Sequence, residues 1–295
     1  MIADTYQTAP TQFVEANGMR FAYRRFGKAG GVPIVFNQHY LGTMDYWDPA
    51  VTDGLARNRE VILFNNAGVS SSCGEVPTTC EEMGANAVEF IKALALTQVD
   101  VLGISIGGFV AHEITLQAPE LVRKLILVGT GPRGGEGMAS QTPEAQRIFG
   151  AAYDPPEHLW LAVLFGPSQK AQAAGLEFLK RKHLRQVDRD PEVNERVGPR
   201  QREAIAKWGV QREGPEPDGW LRFRVVIGDC FVAVLLATTV FRSVIVSKAN
   251  QSQRSQDWHS VTGIHAEAIG ETPIAGVCRE PSMQTPERPV RHEDF

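Results

Sequence analysis

Cysteine is scarce and irregularly placed. Cys73, Cys80, Cys230 and Cys278 are the four in a chain of 295 residues, and no C-x-x-C spacing occurs among them. This points to neither a metal site nor a disulfide framework, and it fits a reducing compartment, so a cytoplasmic location is expected. The chain also lacks H-E-x-x-H and any Cys/His cluster, so no metal is expected. A glycine-rich stretch from Gly131 to Gly137 lacks G-x-G-x-x-G spacing, and no nucleotide cofactor is expected. Positive charge is not in excess: the net charge of −4 gives no electrostatic case for nucleic acid as a partner. The longest apolar stretch, Phe231 to Val240, is too short for a membrane span. The opening Met1-Ile2-Ala3-Asp4-Thr5 lacks a basic region followed by an apolar one, so no signal peptide is expected. No internal repeat is present, and nothing in the sequence speaks to oligomeric state. The partner these absences leave is a small molecule.

What is present begins with Ser105. It sits in Gly103-Ile104-Ser105-Ile106-Gly107, directly after the apolar run Val99-Asp100-Val101-Leu102 and before a helical stretch from Ile106 to Ala118 that Pro119 stops. A serine at a sharp strand-to-helix turn takes strained backbone angles, and bulky neighbours two positions away would clash, which explains the glycines. The turn lifts the hydroxyl above the sheet edge. It also sets the serine at a helix N-terminus, where free N–H groups favour developing negative charge. The alternative reading is a glycine-rich turn whose serine caps a helix.

Strands and helices alternate through the first two thirds. Thr11 to Glu15 and Met19 to Arg24 flank Asn17-Gly18, a hairpin signal. Val32 to Phe36, Val61 to Phe64, Val99 to Leu102 and Leu125 to Val128 read as buried strands. Thr78-Thr79-Cys80-Glu81 matches a capping box, and Met83, Ala87, Phe90, Ile91 and Leu94 follow at helical spacing. The alternation predicts a mostly parallel sheet with helices on both faces, with ligands at the carboxyl ends of the strands. From Pro143 to Trp208 the chain reads as helical pieces interrupted by proline, with Ile148, Leu159, Leu161, Leu164, Leu176, Phe178 and Leu179 as apolar anchors. The reading is a helical lid over the site. Four segments are expected: a core part at 1–135, a lid at 136–210, a divergent part of the core at 211–277 and a flexible tail at 278–295. Leu221 to Ile227 and Val244 to Ser247 are the candidate strands of the third segment.

These residues resemble the α/β-hydrolase superfamily, in the branch of small esterases and cofactor-free haloperoxidases. Val99 to Gly108 resembles the nucleophile elbow. Pro33 to Gly42 is similar to P-x-x-x-x-H-G-x-x-G, with Gln38 and His39 in place of the His-Gly pair. Asn65 to Ser72 resembles D-x-x-G-x-G-x-S, with Asn65 for the aspartate and Ser70 for the second glycine. The resemblance implies the α/β-hydrolase fold, Ser105 as nucleophile, and backbone N–H groups of Tyr40 and Ile106 as oxyanion donors. It runs from about Thr11 to Gly135, weakens across the lid and fades beyond Gly214.

The family's acid and histidine come from the last third, in the order Ser, Asp, His. A serine hydroxyl needs a neutral imidazole to take its proton and an acid to hold that ring's tautomer. Asp229 stands where the acid would. His259 lies 30 positions later and His265 has the better local G-x-H setting; both are candidates for the base. Asp257 reads as a loop acid. His39 ends the strand beside the oxyanion segment and is either a substrate-binding or basic group, or a packed scaffold residue. His112 reads as structural, and His158 and His183 belong to the lid. The expected function is a serine hydrolase of a small, largely apolar ester or lactone, in small-molecule metabolism. Two rivals stand beside it: a non-catalytic or truncated member of the fold, and a cyclase or lyase on the same scaffold.

Overall fold

A computed structural model describes residues 4–135, 142–210 and the backbone of 244–247. The elements of its sheet are β1 (Gln12–Ala16), β2 (Met19–Gly27), β3 (Ile34–Asn37), β4 (Glu60–Phe64), β5 (Val99–Ile104), β6 (Val122–Val128) and β7 (Val244–Ser247). The seven strands lie in the order β1-β2-β4-β3-β5-β6-β7. The central four, β4, β3, β5 and β6, are parallel. The hairpin β1–β2 joins β4 antiparallel, and β7 pairs antiparallel with β6. Asn17 and Gly18 both have positive φ, 50° and 74°, as a two-residue turn matched to strand twist requires.

The central strands are rich in apolar residues because the sheet is covered on both faces. Side chains alternate along a strand. Val35, Ile62, Phe64, Val99 and Val101 therefore join one core cluster, while Ile34, Phe36, Val61, Leu63 and Leu102 join the other. The first face is covered by α2 (Cys80–Ala93), α3 (Ile106–Gln117) and α7 (Val197–Trp208), and α1 (Pro49–Ala56) lies on the other face, against β4. Helix α2 begins one residue from where the sequence pattern put its cap. Thr79, not Thr78, is the N-cap, and its hydroxyl accepts from Glu82 N–H at 3.2 Å. Met83, Ala87, Phe90 and Ile91 are buried as their spacing predicts, and Phe90 stacks on Phe64 with ring centroids 4.5 Å apart.

Between β6 and α7 run α4 (Pro143–Gly150), α5 (Leu159–Leu164) and α6 (Gln169–Lys182). Leu161, Phe165, Phe178 and Leu179 make a small core of their own. Gly175 lets α6 approach α5, since a Cβ there would lie 2.7 Å from the Leu161 side chain. Leu176, read from the sequence as an anchor, is exposed. Helix α7 differs from these three: Val197, Ala204 and Trp208 are buried in the main core. No helix among the described residues is long and apolar enough to cross a membrane.

The chain returning from α6 is stitched to the core by a buried guanidinium. Arg24 on β2 is fully buried. It pairs with Asp45, donates to Thr11 Oγ1 at 3.1 Å and to the Asp188 carbonyl at 2.9 Å. Asp45 in turn accepts from the Asp190 N–H at 2.7 Å. Removing one partner of a buried pair leaves the other charge uncompensated. Arg24→Met is expected to cost about 3 kcal/mol, the low end for such pairs, because Arg189 stays 3.6 Å from the other Asp45 oxygen. Urea unfolding of parent and variant measures it; unchanged midpoints would contradict it.

Candidate active site

Ser105 joins β5 to α3 with φ 55° and ψ −126°. This is strained for a residue with a side chain, and three glycines make it possible. A Cβ at Gly103 would lie 2.5 Å from the Gly107 carbonyl carbon and 2.7 Å from Gly108 Cα. A Cβ at Gly107 would lie 2.5 Å from the Asn37 carbonyl carbon and 2.7 Å from the Gln38 oxygen. A Cβ at Gly108 would collide with Thr130. The turn is closed by Ser105 N–H donating to the Val128 carbonyl at 3.1 Å and by Thr130 Oγ1 donating to the Ser105 carbonyl at 2.8 Å. The Ser105 side chain makes no capping bond to α3. The plain capping role considered for it is thus not the one it plays.

The same contacts press the elbow against the loop that follows β3. Register makes the point independently: Asn37 and Gly103 are Cα partners on neighbouring parallel strands. His39 and Ser105 each lie two residues beyond them, at the carboxyl end of the sheet. The loop's N–H groups can be traced one by one. His39 N–H donates to Gln38 Oε1 at 2.8 Å, Leu41 N–H to Gln201 Oε1 at 2.8 Å, and Gly42 N–H to the His39 carbonyl at 3.0 Å. Tyr40 N–H has no acceptor among the described residues. Ile106 N–H, the first of α3, has no intrahelical one. Both residues assigned as oxyanion donors therefore bring an uncommitted N–H.

The Gln38 side chain braces this loop. Its amide also donates to the Thr43 carbonyl at 3.0 Å, and it fills the space a Gly42 side chain would need. The Tyr40 hydroxyl takes a hydrogen bond from Arg202 of α7. Leu41 and Ser70 hold φ of 58° and 52°. At Ser70 this explains why the resembling motif carries glycine there. Asn65, standing for the motif's aspartate, accepts from Met44 N–H at 2.9 Å and donates to Asp190 at 2.8 Å.

His39 is buried at 7% exposure. Its Nδ1 lies 2.8 Å from the Tyr40 carbonyl. Its ring packs on Trp160 of α5 at 4.4 Å and against Tyr46 at 5.7 Å. Lys182 lies over the Tyr46 ring at 4.1 Å and pairs with Glu157 at 3.4 Å; Glu157 also binds His183 at 2.6 Å. Sequence reasoning missed Trp160 and Lys182, more than about 120 positions from His39, because no spacing rule links them. It missed Tyr46 because the short helical turn Met44–Tyr46 that brings it back has no sequence pattern of its own. Arg181 holds Asp48, the N-cap of α1, by two bonds of 2.8 Å. Helices α5 and α6 thus lie over the loop beside Ser105.

Burial drives the His39 pKa down to about 4; the Tyr40 carbonyl works against this and the Lys182 charge adds to it. His112 on α3, packed against Trp208, is likewise held at about 4 by burial. Both rings are neutral in the folded chain at pH 7. Below pH 6.5 the unfolded chain takes up these protons and the folded chain does not, so stability falls as pH drops from 6.5 toward 4. At one pKa unit per 1.36 kcal/mol, each ring contributes a loss of about 2 kcal/mol by pH 5. Urea midpoints at pH 7 and pH 5 test this, and His112→Phe is expected to flatten the slope. A pH-independent midpoint would contradict it.

Asp229, His259, His265 and Asp257 lie outside the described residues. Among the described residues no group of three or more His, Cys, Asp or Glu side chains is placed to hold a metal ion.

Comparison with known proteins agrees with this geometry. The alpha/beta hydrolase fold family matches residues 32–156. A solved structure, an alpha/beta hydrolase fold protein from Chitinophaga pinensis, is 36% identical, aligns over 71% of this chain and 75% of its own, and superposes with a TM-score of 0.67. The chain belongs to the α/β-hydrolase fold family. Among curated proteins, one named carbamate hydrolase RutD from Azorhizobium caulinodans is 29% identical over 136 residues, 46% of this chain and 51% of that protein. A protein named non-heme bromoperoxidase BpoC from Mycobacterium tuberculosis is 30% identical over 159 residues, 52% of this chain and 55% of that one. This α/β-hydrolase chain spans about half the length of the curated relatives it matches.

Proposed function

We propose that the chain is a serine hydrolase that cleaves a small, largely apolar ester or lactone through an acyl-enzyme on Ser105. One observation carries the reading. The strained serine at the end of β5 stands beside a loop in which Tyr40 N–H alone is left uncommitted between His39, Leu41 and Gly42, with Ile106 N–H free at the start of α3. Such donors, fixed before the reaction, stabilise an oxyanion by about 3–4 kcal/mol each.

In this mechanism Ser105 Oγ attacks the acyl carbon as an imidazole takes its proton. The carbonyl oxygen, now negative, is held by Tyr40 and Ile106 N–H. The tetrahedral adduct collapses, the ester C–O bond breaks, and the alcohol leaves with the proton from the imidazole. Water then adds to the acyl-enzyme by the same route and frees the acid. His259 is proposed as the base and Asp229 as the acid that orients it, with His265 as the other candidate base. Helices α4, α5 and α6 are proposed as the lid, and Trp160 and Tyr46 support a preference for apolar acyl groups. The reaction class also suits relatives named for carbamate cleavage, and a cytoplasmic role in small-molecule metabolism follows as part of the proposal.

Fluorophosphonate labelling of the full chain tests the reading. A covalent label on the peptide containing Ser105 is expected. An unlabelled serine would favour the non-catalytic reading, and labelling without ester turnover would favour a cyclase or lyase.

A further inference from the structure

The Tyr40 carbonyl can only accept a hydrogen bond, so His39 Nδ1 carries the proton. In the neutral ring Nε2 is then a bare acceptor. Trp160 packs on the ring at a tilt and Tyr46 meets it nearly at right angles. No described residue donates to Nε2, although the residue is more than nine-tenths buried. An acceptor that no described residue engages is open to a donor from a ligand. The neighbouring peptide carries Tyr40 N–H, the proposed oxyanion donor, so a group reaching Nε2 belongs to the acyl part of a substrate held at Ser105.

Resting on the serine-hydrolase reading, we propose that His39 Nε2 is a specificity-determining acceptor that selects acyl groups bearing a neutral hydrogen-bond donor, a hydroxyl or an amide N–H, close to the scissile carbonyl. The aromatic walls accept the rest of a short apolar acyl chain. A ring held neutral down to about pH 4 is a poor base for a serine hydroxyl, so His39 binds substrate and does not carry the Ser105 proton. Lys182 is engaged by Glu157 and by the Tyr46 ring, which leaves a neutral donor as the better fit here.

The test compares p-nitrophenyl butyrate, p-nitrophenyl 3-hydroxybutyrate and the p-nitrophenyl ester of N-acetylglycine. The parent is expected to favour one of the donor-bearing esters over butyrate by about tenfold in kcat/KM, the worth of one well-formed hydrogen bond. The favoured ester tells hydroxyl from amide. His39→Phe keeps the ring packing and is expected to bring that ratio to about one while still hydrolysing butyrate. Equal preference in the parent, or a ratio unchanged in His39→Phe, overturns the proposal. A second measurement does not depend on turnover. In Ser105→Ala protein carrying 15N-histidine, the His39 Nε2 resonance is expected to move when the methyl ester of the favoured acyl group is added and to stay with methyl butyrate. An unmoved resonance with all of the donor-bearing methyl esters overturns the proposal even where Ser105 is the nucleophile. A moved resonance in a protein whose parent hydrolyses nothing upholds the subsite and overturns the hydrolase reading instead.

Discussion

Ser105→Ala is expected to lower ester hydrolysis by at least about 10⁴-fold while leaving the fold intact. The size follows from serine enzymes in general, where loss of the nucleophile alone costs nearly as much as loss of the whole catalytic set. The residual rate comes from the oxyanion donors, roughly 10³–10⁴-fold over water, and Tyr40 and Ile106 contribute only main chain to it. The fold is expected to survive because the Ser105 hydroxyl caps nothing. Alanine and serine also share a Cβ, so the strain of φ 55° is the same in both. Steady-state rates on p-nitrophenyl butyrate and a thermal melt measure the two halves. A variant that hydrolyses at the parent's rate would show that Ser105 is not the nucleophile.

Gly107→Ala is expected to have the largest effect on stability. The added carbon would lie 2.5 Å from the Asn37 carbonyl carbon and 2.7 Å from the Gln38 oxygen. These are main-chain atoms at the end of a central strand, so neither can swing aside. Helix α3 would have to lift from β3, and the loop that carries Tyr40 would go with it. A loss above about 4 kcal/mol, or failure to fold, is expected, as for other severe overpacking at a backbone contact. Gly54→Ala provides the comparison. On α1 its Cβ would come no closer than 3.7 Å to Arg57 Nη2, and alanine in a helix is favoured by up to about 1 kcal/mol. Equal melting temperatures for parent and Gly107→Ala would refute the close-packed elbow.

The elbow was legible because its chemistry is local. A strand, a serine between glycines and a helix lie within twenty residues, and Gly103 answers to Gly107 and Gly108 of the same turn, although Gly107 and Gly108 answer to Asn37, Gln38 and Thr130 from elsewhere in the chain. The hairpin at Asn17-Gly18 was legible for the same reason. The capping box was placed one residue early because Thr78 and Thr79 are chemically alike and only the main-chain angles separate them. Leu176 was misread as an anchor because it lies three residues before Leu179, a spacing that suits one helix face, whereas Phe178 and Leu179 are buried and Leu176 is exposed. The contacts that shape the loop were not legible at all. Gln201 reaches Leu41 across 160 positions and Asp188 reaches Arg24 across 164; no spacing rule spans such distances. Helix α7 was read with the lid because proline and charge punctuate it as they do α4–α6. Only its packing on Phe109, where Trp208 stacks at 5.0 Å, assigns it to the main core.

The central claim is that Ser105 carries the acyl group during turnover. Its most direct test is to mix the full chain with excess p-nitrophenyl butyrate, quench in acid within the first turnovers, digest, and locate the butyryl group by mass spectrometry. The expected result is butyryl on Ser105 of the peptide that spans β5 and α3, and none there in Ser105→Ala. Turnover with Ser105 unmodified at every quench time, or with the acyl group on another residue that accounts for the rate, would contradict the claim.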